Sequence, residues 1–255
     1  MKKIIILLMT VFLLYLLVLP VNAVLTGDDV LARIEEEMHS TTAHLQMNMK
    51  LYSASGDVRE REMEIYKSNQ EGLTKSFVRF LSPATIEGTA FLSLEQENGS
   101  EDMYLYMPAL GSVRKIASSQ RNGSFVGTDF SFNDLTILGG ANFREDYQAS
   151  ILEENDQEYV LKLIPTNPDI EYNQVKMWVD KANWYPLKSE FYDADGELLK
   201  VMNPADHKEI NGYWTPQKLT MENVQKGTKT VIEMVNVVYD QSVNEQIFSV
   251  RYLKR

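Results

Sequence analysis

Few side chains in this sequence are suited to chemistry. Three histidines, His39, His44 and His207, are its only neutral-pH bases, and cysteine is absent. Without thiols there is no disulfide, thiolate metal site, iron–sulfur cluster, cysteine nucleophile or cysteine-linked lipid. His39 and His44 stand five apart, outside the i, i+4 spacing that sets two imidazoles on one helix face, so no metal site is expected. Asp193-Ala194-Asp195-Gly196-Glu197 opens like a calcium loop but its frame is too short for the remaining ligands. It reads as a hairpin turn. Gly123-Ser124-Phe125-Val126-Gly127 has the glycines of a nucleophile elbow with the serine misplaced, and no phosphate-cradling loop occurs. Carboxylates are plentiful, yet sequence positions do not identify a facing pair of the glycosidase kind. The expectation is a protein that is not an enzyme and needs no cofactor; a hydrolase with dispersed carboxylates is the distant alternative.

The charge balance narrows the partners. Asp and Glu number 36 against 25 Lys and Arg, a net −11, and basic residues cluster only at Lys2-Lys3. A nucleic-acid binder needs a positive footprint, which this chain lacks. At 255 residues and 44% hydrophobic it can build a real core.

Residues 1–23 read as an address. Lys2-Lys3 is the basic end, Ile4 to Leu19 the apolar run, Pro20 the break, and Val21-Asn22-Ala23 the cleavage signal. Export to the periplasm with cleavage after Ala23 is expected, leaving residues 24–255 as one domain. Retention as a membrane anchor competes, because the apolar run approaches spanning length. Loss of Lys2 and Lys3 takes the net charge from −11 to −13.

The elements that would position any site are mostly strands. One amphipathic helix is expected from Thr26 to about His39, opened by Thr26 and Asp29 as a capping box, with Val30, Leu31, Ile34 and Met38 on one face. A second, short helix is expected at Phe132 to Leu138 with Ser131 as its cap. Elsewhere period-2 segments alternate with turns such as Asn98-Gly99, Asp195-Gly196 and Asn211-Gly212. Strands at this spacing without intervening helices imply a mainly antiparallel sheet, and one this large must close, split or cover its edges. Apolar stripes recur: Leu45, Met47, Met49 and Leu51; then Leu73, Phe77 and Leu81; then Leu92; then Met103, Leu105 and Met107. Taken alone, such stripes are the faces of a core.

The central stretch is more specific. It carries Ser82-Pro83, Gly88-Thr89-Ala90-Phe91-Leu92, Tyr104-Leu105-Tyr106-Met107-Pro108, Val113-Arg114-Lys115-Ile116 and Phe125-Val126-Gly127-Thr128-Asp129-Phe130-Ser131-Phe132-Asn133-Asp134-Leu135. Trp178-Val179-Asp180, Tyr185-Pro186-Leu187-Lys188 and Gly212-Tyr213-Trp214-Thr215-Pro216 follow. Together these resemble the exported outer membrane lipoprotein-sorting protein family of the LolA-like superfamily. The resemblance implies an incomplete antiparallel barrel of about 10–12 strands, plugged or covered by a few short helices, with an apolar cavity for acyl chains. It implies a soluble carrier of lipid or lipoprotein acyl chains across the cell envelope, partnered by an inner-membrane exporter. An adaptor or sensor subunit of such an exporter is the alternative.

On this reading the stripe residues become candidate cavity lining. Signature positions Pro83, Gly88, Tyr106, Pro108, Gly127, Thr128, Asp129, Phe130 and Asp134 are expected to be structural, the prolines ending strands and the aspartates binding backbone N–H groups. No cavity arginine is carried over from the family. Arg79, on an otherwise apolar strand, and Arg114, inside the signature, are candidates for the cavity or its mouth on physical grounds.

Overall fold

The computed structural model describes residues 25–70, 72–138 and 143–255. The leader, residues 1–23, lies outside them. Helix α1 (Gly27–Met38) begins as the sequence leads one to expect: Thr26 Oγ1 accepts from Asp29 N at 3.2 Å while Asp29 Oδ2 accepts from Thr26 N at 2.8 Å. Val30, Leu31 and Ile34 are its buried stripe.

Strands β1 (Thr42–Tyr52), β2 (Val58–Gln70), β3 (Leu73–Ser82), β4 (Ala90–Glu95), β5 (Glu101–Met107) and β6 (Ser112–Lys115) form one meander. Helices α2 (Phe132–Leu138) and α3 (Phe143–Asp146) come next. A second meander comprises β7 (Tyr147–Glu154), β8 (Glu158–Pro165), β9 (Gln174–Asp180), β10 (Pro186–Tyr192), β11 (Leu198–Ile210), β12 (Tyr213–Asn223) and β13 (Thr228–Tyr239). All thirteen belong to one antiparallel sheet in the order β6-β5-β4-β3-β2-β1-β13-β12-β11-β10-β9-β8-β7. The first and last strands pair at its centre, with Met49 opposite Ile232. The sheet is an open, incomplete barrel whose edges are β6 and β7.

Thirteen strands exceed the 10–12 expected, because every period-2 segment pairs, the four-residue β6 included. Period-2 patterning ends early near Pro204, which removes a ladder donor. Yet β11 runs on through it to Ile210, with Pro204 opposite Leu219. Asn211-Gly212 then turns the chain with φ of 51° and 86°, the positive pair of a type I′ hairpin.

Two hydrophobic clusters lie on opposite faces of the sheet. The larger fills the concave face. Residues 116–146 connect the two edge strands and contribute Ile116, Phe125, Phe130, Phe132 and Phe143 to it, beside the α1 stripe. Phe125 packs edge-on to Phe91 and Phe132, with ring centres 5.6 Å apart in each case. The smaller cluster is on the convex face. There the C-terminal segment lays Ile247, Phe248 and Leu253 over Phe77, Ala90 and Leu92. Alternation explains the split, since neighbouring residues of a strand point to opposite faces.

Candidate functional site

Two of the cavities among the described residues lie between the concave face and what covers it. The larger, about 530 Å³, is bordered by Thr74 and Ser76 of β3, Phe91 and Ser93 of β4, and Leu135 and Phe143 from the helices. Tyr147, Ile170 and Tyr172 complete its apolar wall. One end is polar: Glu101, Arg121 and Asp146 face it. Burial pushes the Glu101 carboxyl up, opposed by the Ser93 hydroxyl that donates to it. Burial likewise raises Asp146, opposed by Asn167, whose Nδ2 donates to it at 2.8 Å.

Behind this cavity a buried network ties the covering segment to the sheet. Lys200 of β11 donates to Asp134 at 2.9 Å, both side chains being almost fully buried. Tyr172 donates its hydroxyl to the same carboxylate at 2.7 Å and accepts from Lys200 at 2.9 Å. Burial, and then the Asp134 charge, push the Tyr172 phenol well above its ordinary range. Asp134 Oδ2 also accepts from Ser131 N at 2.7 Å while Ser131 Oγ accepts from Asp134 N at 3.1 Å. Ser131 therefore caps α2 in the same Ser/Thr-x-x-Asp pattern that opens α1.

The smaller cavity, about 130 Å³, lies beneath the end of α1. Leu45 and Met47 of β1, Ile65 of β2, Met202 of β11, Leu219 of β12 and Met234 of β13 border it. Trp214, 40% exposed, stands at its rim. Among these apolar groups is Lys67 of β2, 6% exposed. No carboxylate approaches its ammonium within 4 Å, and it makes no side-chain hydrogen bond, among the described residues. Burial alone depresses its pKa to about 8. Phe143 borders both cavities.

The stripe residues fare differently from one another. Leu45 and Met47 border the smaller cavity. Met49, Leu51, Met103 and Leu105 are buried in the concave core, with Met107 packed against it, and border neither cavity. Phe77 and Leu92 must be reassigned: they form the convex cluster under the C-terminal segment. By alternation Leu73 shares Phe77's face, while Leu81, the unpaired residue at the register shift between Phe80 and Ser82, is exposed. Phe91, the residue beside Leu92, is the one in the larger cavity's wall.

Both arginine candidates also lie elsewhere. Arg79 Nη2 donates to Tyr252 O at 3.1 Å, its guanidinium 4.8 Å from the Phe77 ring centre, so it pins the C-terminal segment to the convex face. Arg114 is exposed on the edge strand β6. Among the described residues, Arg61, Lys67 and Lys200 are strand cations buried on the concave face, and Arg121 of the covering segment faces the larger cavity. Arg61 Nη1 donates to Val126 O at 2.8 Å. The signal was in the sequence: Arg61, Met63, Ile65 and Lys67 share one parity, so two charges interrupt an apolar stripe.

The signature block docks the covering segment. Asp134 binds a backbone N–H as expected, but the Asp129 carboxylate instead accepts from the Thr228 and Thr230 hydroxyls of β13, across the sheet rather than within its own turn. The Thr128 hydroxyl donates to Phe125 O at 2.8 Å, and Phe130 is buried. Gly127 takes φ +75°, as does Gly88. Pro83 and Pro108 come directly after the last residues of β3 and β5, ending those strands as expected. Tyr106 packs against the convex cluster. No group of three or more His, Asp or Glu side chains placed to hold a metal ion occurs among the described residues.

Solved structures share this architecture along nearly its whole length. A domain assigned as an outer membrane lipoprotein-sorting protein from Vibrio parahaemolyticus is 31% identical, with a TM-score of 0.82 over 90% of this chain and 98% of that one. A DUF1329 family protein from Desulfovibrio piger is 25% identical, with a TM-score of 0.83 over 89% and 97% of the two chains. A LolA superfamily protein from Nitrosomonas europaea, 23% identical with a TM-score of 0.71 over 90% and 100%, shares the fold. The profile of a family described as "Uncharacterized protein" matches residues 72–255. No curated protein matches the sequence.

Proposed function

From the chain's membership of the outer membrane lipoprotein-sorting protein family, within the LolA superfamily, we propose that it is an exported, periplasmic carrier that shields lipid or lipoprotein acyl chains from water. The observation that carries this reading is the pair of cavities between the concave sheet and its own cover, together with the flexible side chains beside them. An acyl chain in water costs about 0.8 kcal/mol per methylene, so roughly fifteen of them cost about 12 kcal/mol. A carrier must replace most of that contact with apolar wall and still release the chain. The larger cavity, about 530 Å³, falls within the ordinary range for small-ligand sites. Met47, Met202 and Met234 beside the smaller one can re-pack around contents of varying shape.

Uptake begins in these cavities, and a longer chain must also displace part of the cover, because α1 and Ile116, Phe125, Phe130, Phe132 and Phe143 pack much of the remaining concave face. A mature charge of −13 discourages adhesion to anionic membranes, so loading and delivery depend on a protein partner, here taken to be an inner-membrane exporter.

The test is direct. Protein purified without detergent is extracted with organic solvent, the extract is examined by mass spectrometry, and stripped protein is titrated with a fluorescent acyl probe. Co-purifying acylated lipid and saturable, stoichiometric probe uptake are expected. Absence of both overturns the carrier reading.

A further inference from the structure

We propose that the cavity beneath α1 is an anion-selective subsite, in which Lys67 Nζ pairs with the carboxylate of a single-chain acyl ligand. This rests on the carrier reading and adds the chemistry by which the carrier would select its cargo.

Lysines on a barrel strand ordinarily lay their methylenes along the surface and keep the ammonium in water. Lys67 does the opposite. It follows Met63 and Ile65 on the concave side of β2, is 6% exposed, and lies among Leu45, Met47, Met202 and Leu219. The other titratable groups bordering the cavity are Glu37, Tyr185, Tyr213 and Tyr239. Glu37 is exposed and is not within 4 Å of the ammonium. Tyr213 gives its hydroxyl to Asp240 and Tyr239 shares a hydrogen bond with Thr215. No group of the chain among the described residues neutralises Lys67.

A buried, unpaired ammonium is costly to maintain. What it lacks is one acceptor with negative charge, and the apolar sheath around it suits the first methylenes of a chain. With Lys67 only 6% exposed, much of the cost of drawing the ammonium out of bulk water is met in the fold, so pairing costs chiefly the hydration of the incoming carboxylate. The volume, about 130 Å³, admits the head of one chain and not a two-chain phospholipid. Phe143 is the partition shared with the larger cavity, through which the rest of the chain would run.

The experiment compares a fluorescent sixteen-carbon fatty acid with its methyl ester on the full-length mature protein. Wild type is expected to bind the acid at least tenfold more tightly. Lys67→Met, and Lys67→Gln beside it, should weaken the acid at least tenfold and leave the ester unchanged, with a native circular-dichroism spectrum. Wild type binding both probes equally, or variants that keep the wild-type acid-to-ester ratio, overturns the subsite and leaves the carrier reading standing. Wild type that takes up neither probe overturns both.

Discussion

Lys67 is also the residue with the clearest signature in stability. Its pKa is near 8 in the fold against 10.5 in a free lysine. Between those values the unfolded chain binds the extra proton, so stability rises with pH through the window from about 8 to 10.5. Below it the full penalty applies, about 3 kcal/mol at 1.36 kcal/mol per pKa unit. Lys67→Met removes that penalty. Denaturant titrations should find the variant more stable than wild type at pH 7 by up to about 3 kcal/mol, with the difference shrinking towards pH 10.5. Taking the difference cancels the buried tyrosines, which titrate alike in both proteins. A variant less stable at pH 7, or a difference that does not change with pH, would contradict the burial of an unpaired charge. Asp134 and Lys200 are the contrasting case, a buried pair bonded to each other and both to the Tyr172 hydroxyl.

At the scale of elements, the decisive contact is where α1 starts. A Cβ on Gly27 would sit 2.5 Å from the carbonyl carbon of Ala149 and 2.6 Å from Ser150 N, both backbone atoms of β7. Asp28 Oδ1 accepts from Ala149 N at 2.8 Å in the same place. At the helix's other end Arg144 Nε bonds Glu35 at 2.6 Å, joining α1 to α3. Gly27 is the first helical residue, so Gly27→Ala gains less than the about 1 kcal/mol of a helix interior, while overpacking against fixed backbone costs about 1–3 kcal/mol. The expected outcome is a lower melting temperature with faster amide exchange concentrated in α1 and β7. Unchanged exchange there would show that the helix docks independently of this approach. The helix itself, its cap and its buried stripe were legible from Thr26, Asp29, Val30, Leu31 and Ile34, because they depend on local spacing. That its first turn lies against β7 was not, because the partner is over a hundred residues away.

At the scale of the molecule, one sheet carries two separate interiors, and the C-terminal segment belongs to the outer one. Phe248 and Leu253 cover Phe77 and Leu92, while Glu245 pairs with Lys75 at 3.0 Å. Phe248→Ala should cost about 3–5 kcal/mol, as large-to-small changes in cores do. Because both cavities lie on the other face, acyl-probe uptake by the folded variant should stay at the wild-type level while residues 241–255 become sensitive to protease. Loss of uptake in protein that remains folded would show that the two faces are coupled.

What the sequence determined by itself was everything carried by period and local chemistry: antiparallel strands, two capped helices, the turns at Asn98-Gly99 and Asn211-Gly212, and the family motif between residues 83 and 135. What only the tertiary structure decided was which face of each strand looks inward. Period 2 says that Phe77 and Phe80 lie on opposite faces, but not which one the cover occupies. Phe77, expected in the cavity, lies on the outer face, and Arg79 with it. The same parity, once anchored by the pairing of β1 with β2, places Arg61 and Lys67 among the methionines. Orientation is set by long-range packing of residues 116–146 and of the C-terminal segment, and neither contact leaves a local mark in the strands it covers.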